Sequence, residues 1–300
     1  WARANPGGLR GASSGAGTPG DGGGGAIVDA APPKVIWETF AVESAAPPPN
    51  PTSGAVTPAE QNRVRVTRYR LESDPPRPAR SIVVMMPGIF AGATSFHGMA
   101  QALVRRSAAG EAVEAWAVDR RSNLLEDSRG LAAGRRVPDI ARGYYSRGEP
   151  IEGQTSGGFL EGSAAPWMSE WGLAVTVGDL RKVIELVPES ARRERVVLVG
   201  HSLGASVAES YAAWDFDGQA GYESLAALAL VDGVARREGQ PLADTARRDY
   251  EEGAAGSGVV QVAGVKAIRG GNTILSFPLF GPRAFVLLEI AGLEAQTAPE

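Results

Sequence analysis

The 300-residue sequence predicts an α/β fold, in which a β-sheet is wound with helices. From residue 63 onward, short apolar runs of strand length alternate with amphipathic stretches, which is the pattern of such a fold. Turn-forming residues punctuate the runs, as Pro87 and Gly88 do after residues 81–86. The longest clean apolar run, residues 225–231, has the length of a strand, so no integral membrane span is expected.

The composition excludes several classes of protein. Lys and Arg number 30 against 34 Asp and Glu, a net charge of −4 that offers no basic footprint for nucleic acid or an anionic membrane surface. Because cysteine is absent, disulfide scaffolds, thiolate metal sites and cysteine nucleophiles are excluded. His97 and His201 are the two histidines, too few for a multi-histidine metal centre, and no motif indicates carboxylate-bound Ca²⁺ or Mg²⁺.

Residues 1–60 predict a flexible, low-complexity leader, because they contain 11 Gly and 9 Pro and almost no apolar periodicity. Residues 34–42 are the exception, apolar enough for a short strand or a docking segment. The glycine run at 22–25 is not followed by Gly-Lys-Ser/Thr, so it does not indicate a phosphate-binding loop. The leader's composition fits a linker behind a signal peptide or lipid anchor, which favours export.

Five apolar runs have the length and composition of strands: residues 64–71, 81–86, 113–118, 195–199 and 225–231. The first alternates imperfectly, which predicts one or two edge strands. Apart from Arg195 at the start of the fourth, the last two are apolar, which predicts central strands.

Helical spacing follows Phe96 and recurs over residues 173–187, 205–214, 241–252 and 285–293. Residues 120–169 show no regular period and are too long for an ordinary connection between a strand and a helix. This insertion contains Tyr144, Tyr145, Phe159 and Trp167. These rings either form one wall of a pocket or anchor the insertion to the core.

The segment Gly200-His201-Ser202-Leu203-Gly204 is a G-x-S-x-G motif between an apolar strand and a helix. A serine on such a sharp turn adopts a strained backbone conformation, and the flanking glycines let strand and helix approach. The side-chain oxygen is thereby exposed beside the positive end of the helix dipole. We therefore interpret Ser202 as a nucleophile.

Acyl transfer also needs two backbone N–H groups directed at the developing oxyanion. Leu203, directly after the nucleophile, supplies one in this interpretation. The glycine-rich loop Pro87-Gly88-Ile89-Phe90-Ala91-Gly92 supplies the other, with Ile89 as the best-placed donor.

Over residues 63–232 these elements resemble an α/β-hydrolase, with the VVLVGHSLGA segment as the specific part. The resemblance implies a mostly parallel sheet with helices on both faces, a Ser, acid, His triad in that chain order, and a helical lid after the sixth strand. It divides the chain into the leader, a hydrolase core at 61–232 and the start of the lid at 233–300. Pro87-Gly88 stands where many members have His-Gly, which keeps the backbone donor.

The family's catalytic histidine lies far downstream of the nucleophile, and no histidine follows Ser202 here. His201 is expected to point away from the serine oxygen, and His97 to be exposed or to cap a helix. Because the chain also begins at Trp1 rather than Met, we expect it to be a piece of a longer product whose sheet is incomplete at the C-terminus and whose base lies beyond Glu300.

The triad acid is either Asp232, which follows the last apolar run, or a residue beyond Glu300. The alternative for Asp232 is a strand-end residue that caps the next turn. Asp119 also ends a strand, and pairing with Arg120 or Arg121 accounts for it without catalysis.

These observations predict a serine hydrolase that cleaves carboxylic esters or similar acyl compounds through an acyl-enzyme on Ser202. The substrate is a small-molecule or lipid-like acyl compound, and no cofactor is expected. An acyltransferase with the same nucleophile is one alternative. A non-catalytic binding protein of the same fold is the other.

Overall fold

A computed structural model describes residues 33–233, 242–253, 261–272, 275–276 and 283–298. Most of the expected leader, residues 1–32, lies outside these ranges. The strands are β1 Val35–Glu43, β2 Arg63–Leu71, β3 Ser81–Met86, β4 Val113–Asp119, β5 Val196–His201, β6 Asp215–Phe216, β7 Gln219–Ala220, β8 Ala227–Val231, β9 Gln261–Val262 and β10 Leu275–Ser276.

Six of these strands form the main sheet in the order β1-β2-β4-β3-β5-β8. Strands β4, β3, β5 and β8 are parallel to one another. Strand β2 pairs antiparallel with both β1 and β4. The predicted α/β fold with a mostly parallel sheet is therefore confirmed.

The helices are α1 His97–Arg106, α2 Arg129–Gly134, α3 Pro138–Arg142, α4 Leu173–Ile184, α5 Glu189–Arg195, α6 Leu203–Ala213, α7 Leu242–Glu251, α8 Val265–Arg269 and α9 Arg283–Thr297. Each stretch of predicted helical spacing overlaps one of them, although α6 begins two residues before its stretch and α9 extends beyond its stretch at both ends. In α4 the predicted stripe is the buried one, since Val177, Leu180 and Ile184 are almost fully buried.

Helices cover both faces of the sheet, and strand β3 shows how. Its side chains alternate between two cores, as the period of a strand requires. Ile82 and Val84 pack with residues of α4 and α6 on one face. Val83 and Met85 pack with residues of α1 on the other.

The prediction of an edge strand at residues 64–71 is wrong. The structure has one strand there, β2, and it lies inside the sheet because β1 pairs along its whole length, for example Phe40 with Val66. Strand β1 is the apolar exception within the expected leader, so the sheet already begins at Val35. Its Val42 is buried in the core beneath α4, which explains why this segment differs from its surroundings.

Strand β8 is the last strand of the main sheet in the described part of the chain, and its predicted central position stays a prediction. Among the residues the structure describes, it pairs with β5 alone, and Leu228, Leu230 and Val231 are 38, 39 and 48% exposed. An apolar run indicates a tendency to be buried, but it does not say whether both edges of the strand are paired. Strand β5 is interior, as predicted.

The insertion at 120–169 is fastened to the core by a buried ion pair. The Arg121 guanidinium donates to both carboxylate oxygens of Asp179 on α4, at 2.6 and 2.8 Å, and both side chains are under a tenth exposed. The same guanidinium donates to the Asn62 side chain at 2.9 Å and the Ala45 carbonyl at 2.7 Å. One residue therefore connects the insertion, α4 and the segment between β1 and β2.

Within the described part of the chain, none of the helices is long and apolar enough to cross a membrane.

Candidate active site

Ser202 occupies the turn between β5 and α6 with φ +53° and ψ −119°. A positive φ is unusual for a non-glycine residue and is maintained only where surrounding structure enforces it. Here the Ser202 amide donates to the Val231 carbonyl at 2.9 Å, and its carbonyl accepts from the Ala205 amide at 2.9 Å. Strand β8 and helix α6 thus hold the strained turn expected from the sequence.

The glycines on either side of this turn are required by close backbone contacts. A Cβ atom on Gly200 would lie 2.2 Å from the Gly204 carbonyl oxygen, and one on Gly204 would lie 2.0 Å from that of Met86. Both distances are far below van der Waals contact, and both neighbours are backbone atoms. The G-x-S-x-G spacing is therefore needed for α6 to start directly above β5 and β3.

The loop at residues 87–92 begins where β3 ends, beside β5 in the sheet. A Cβ atom on Gly88 would lie 3.3 Å from the Ser202 Cβ, so the loop backbone is in contact with the turn. The peptide that carries the Ile89 amide is thus next to the serine. The Leu203 amide lies in the first turn of α6, where amides have no acceptor within the helix. The structure therefore brings together the three residues singled out from the sequence.

Arg120 is a part of this site that sequence reasoning missed. Its Nη2 atom donates to the carbonyls of Gly88, Ile89 and Ala91, at 2.6, 3.1 and 3.1 Å. Burial lowers the pKa of this guanidinium, opposed by nearby Glu126, but arginine remains charged at neutral pH. The sequence marks Arg120 only as a residue directly after β4. Such a residue reaches the loop after β3 only if β3 and β4 are neighbours in the sheet, which the sequence does not show.

Asp119 does not pair with Arg120 or Arg121, so that prediction is wrong. Its buried carboxylate accepts from Arg65 Nε at 2.7 Å and from the Ala93 amide at 2.6 Å. The Arg120 side chain turns instead to the loop carbonyls, and Arg121 turns to α4. Asp119 holds the far end of the same loop, while Arg120 holds its middle.

The structure places His97 away from Ser202. Its Nδ1 atom lies 3.1 Å from the Tyr69 hydroxyl and its Nε2 atom 3.0 Å from Gln101 Nε2, and its ring packs edge-on against Trp37. Tyr69 belongs to β2, three strands from β5, which corresponds to roughly 14 Å across the sheet. The exposure expected for His97 is found, although it makes no cap contact.

The other two titratable candidates lie at the same strand ends as Ser202. His201 is exposed at the end of β5. Asp232 is exposed directly after β8, with φ +51°. A Cβ atom on the next residue, Gly233, would lie 2.3 Å from the Ser202 carbonyl oxygen. The chain leaving β8 therefore passes against the serine turn, and a catalytic role for Asp232 stays a prediction.

Two aromatic residues of the insertion serve as anchors within it. Tyr144 is fully buried, and its hydroxyl accepts from Arg129 Nη1 at 2.7 Å and donates to Asp127. Tyr145 packs edge-on against Tyr144 with ring centroids 5.0 Å apart.

Trp167 stacks at a tilt against Trp171, whose indole donates to Thr57 at 3.0 Å. Anchoring accounts for these contacts. Phe159 is 43% exposed, which leaves both alternatives open for that ring.

Helix α9, in the region expected to begin the lid, contacts both the loop and the insertion. Phe285 stacks on Phe90 with ring centroids 5.4 Å apart and an interplanar angle of 26°. Glu294 forms an ion pair with Arg142 of α3. Among the residues the structure describes, no three His, Asp or Glu side chains are grouped as metal ligands.

A strained serine between a parallel strand and a helix, with a loop from the neighbouring strand against it, defines a protein of the α/β-hydrolase class. The sequence profile of the alpha/beta hydrolase family matches residues 83–294, and the chain belongs to this family. Membership in this family supports the interpretation of the protein as a hydrolase. Among curated protein sequences, none matches the chain.

The solved structures that this chain resembles share little sequence identity with it. Epoxide hydrolase A from Mycobacterium thermoresistibile is 16% identical, with 73% of this chain and 46% of that chain covered and a TM-score of 0.37. A carboxyl esterase from Bacillus coagulans is 16% identical, with 65% and 43% covered and a TM-score of 0.33. A cold-adapted esterase from an Arctic intertidal metagenomic library is 14% identical, with 65% and 58% covered and a TM-score of 0.33. The chain spans about half the length of these structures.

Proposed function

We propose that this protein is a serine hydrolase that cleaves carboxylic esters or similar acyl compounds through an acyl-enzyme on Ser202. The observation that carries the proposal is the contact between the strained serine and the loop at residues 87–92. This contact supports an arrangement in which the Ser202 hydroxyl and the amides of Leu203 and Ile89 surround one position at the strand ends, as acyl transfer requires.

In the proposed reaction, the Ser202 oxygen attacks the acyl carbon while a general base accepts the hydroxyl proton. The amides of Leu203 and Ile89 donate to the oxyanion of the tetrahedral intermediate. The bond to the leaving alkoxide then breaks, and the alkoxide takes the proton from the base. Water attacks the acyl-enzyme in the same way, which releases the carboxylic acid and restores the serine.

The test is Ser202→Ala in the full-length protein, assayed on a short p-nitrophenyl ester. Ser210→Ala is the matched control, because Ser210 lies on the same helix and its hydroxyl donates to the Ser206 carbonyl. We expect Ser202→Ala to reduce kcat on the order of 10⁴-fold with an unchanged melting temperature, since the covalent route is lost. Ser210→Ala should keep the parent rate. Activity of Ser202→Ala within tenfold of the parent would contradict the proposal.

The same assay separates hydrolysis from acyl transfer. With an added primary alcohol, a hydrolase releases mainly the free acid, whereas an acyltransferase forms mainly the new ester. A full-length protein that neither turns over esters nor reacts with a fluorophosphonate at Ser202 would indicate a binding protein of this fold instead.

A further inference from the structure

The Arg120 guanidinium lies against the loop proposed to carry an oxyanion donor, and its contacts are unusual for an arginine. One nitrogen, Nη2, donates to three carbonyls of this one loop, those of Gly88, Ile89 and Ala91. Its Nε atom is buried without a hydrogen-bond partner in the described structure. Within the same residues Arg120 forms no ion pair, whereas neighbouring Arg121 is paired with Asp179.

The contact with Gly88 fixes the direction of the Ile89 amide. The Gly88 carbonyl and the Ile89 N–H belong to one peptide group, which is planar and, in its usual trans form, points the two bonds in opposite directions. Because Arg120 binds the carbonyl at 2.6 Å, the N–H is directed away from the guanidinium. No acceptor for this N–H is present in the described part of the chain, so it remains available to a ligand.

The positive charge also strengthens that amide as a donor. A hydrogen bond from a charged group is roughly twice as strong as a neutral one, and it polarises the peptide to which it donates. Arg120 is half-buried, so solvent screens its charge less than that of a fully exposed arginine. The orientation and the polarity of the Ile89 N–H therefore both depend on this side chain.

We propose that Arg120 is the positioning residue of the oxyanion site, holding the Gly88–Ile89 peptide so that the Ile89 N–H faces the reacting acyl group beside Ser202. The proposal rests on the proposed function, since it assigns a role in acyl transfer. It extends that function to a residue that touches neither substrate nor serine and acts only through the loop.

The test compares Arg120→Met with Arg77→Met in the full-length protein. Arg77 is the matched control because its guanidinium also donates to two loop carbonyls, those of Ala108 and Gly110 at 3.5 and 2.9 Å. It lies before β3, at the opposite end of that strand from the loop at 87–92. Loss of one oxyanion donor lowers kcat by about 10²-fold to 10³-fold, so Arg120→Met should lower kcat by about 10- to 100-fold. KM should stay within about twofold, because the donor acts on the transition state.

Two further variants separate positioning from folding. Arg120→Gln keeps much of the side-chain volume without the charge, and it should lower kcat as Arg120→Met does even if the latter folds poorly. Arg120→Lys keeps the charge but lacks the planar guanidinium, so its kcat should lie between those of Arg120→Gln and the parent. A kcat of Arg120→Gln within twofold of the parent, or a change confined to KM, would overturn the proposal. An equal loss in Arg77→Met would also overturn it.

Ser202→Ala in the same assay distinguishes this proposal from the function on which it rests. If Ser202→Ala is inactive and the Arg120 variants keep the parent kcat, the serine mechanism stands and the positioning role is wrong. If Ser202→Ala is active, both are wrong.

Discussion

Gly88 and Ser202 are in contact at the ends of two adjacent strands. A Cβ atom on Gly88 would lie 3.3 Å from the Ser202 Cβ and 3.4 Å from His201 Nδ1. These distances are slightly shorter than ordinary van der Waals contacts. A methyl group at Gly88 therefore displaces its neighbours by a few tenths of an ångström.

We therefore expect Gly88→Ala to lower kcat about tenfold while leaving the protein folded, because a displacement of 1 Å costs about 10²-fold and this one is smaller. Gly98→Ala is the control, since a Cβ atom there meets nothing within 4 Å and the residue is an exposed position of helix α1. It should keep the parent kcat. Ester hydrolysis and thermal melting measure both variants, and equal kcat values for the two would contradict the expectation.

The buried pair of Arg121 and Asp179 should contribute strongly to the free energy of unfolding. Arg121→Met leaves the Asp179 carboxylate, which is 7% exposed, without its partner, and such a loss costs about 3–5 kcal/mol. Lys34→Met removes a pair whose side chains are 70% and 49% exposed, and it should cost less than about 1 kcal/mol. Urea unfolding measures both changes. Similar values for the two variants would show that burial does not decide the strength of these pairs.

Glu170 should make stability depend on pH. Arg269 donates to both of its carboxylate oxygens, at 2.9 and 3.0 Å, and this contact lowers the pKa of Glu170 below its ordinary value of 4.5. A lowered pKa means that the folded state binds the proton more weakly than the unfolded state does. The stabilisation is therefore present above pH 4.5 and is lost as the pH falls through the folded-state pKa.

Glu170→Gln removes this dependence. At pH 7 the variant should be less stable than the parent by about 1 kcal/mol, and the difference should narrow below pH 4.5. Glu60→Gln, at an exposed position, is the control and should follow the parent at every pH. Urea unfolding from pH 7 to pH 3 tests this, and a difference between Glu170→Gln and the parent that stays constant over that range would contradict it.

Most strands of the main sheet could be predicted from the sequence, but which strands lie next to each other in the sheet could not. The apolar runs at residues 81–86, 113–118 and 195–199 predicted β3, β4 and β5 because strand formation and burial leave a local pattern. The order of the strands leaves no such pattern. The assignment of residues 64–71 to an edge was wrong for that reason.

The site divides in the same way. Ser202 and its two glycines could be identified from the sequence, because a serine turn between a strand and a helix needs those residue types at that spacing. Arg120 could not, because its partners are carbonyls 29–32 residues away in the chain. Backbone carbonyls are present at every residue, so no residue type in the loop marks them as the partners of an arginine.

By itself, the sequence determined the α/β class and the strained serine turn, since both follow from local periodicity and sterics. Only the tertiary structure decided that β1 covers β2, that Asp119 pairs with Arg65, and that Arg120 reaches the loop beside the serine. These contacts depend on which strands lie side by side. That order is set by the packing of the whole core, to which each segment contributes only its own apolar face.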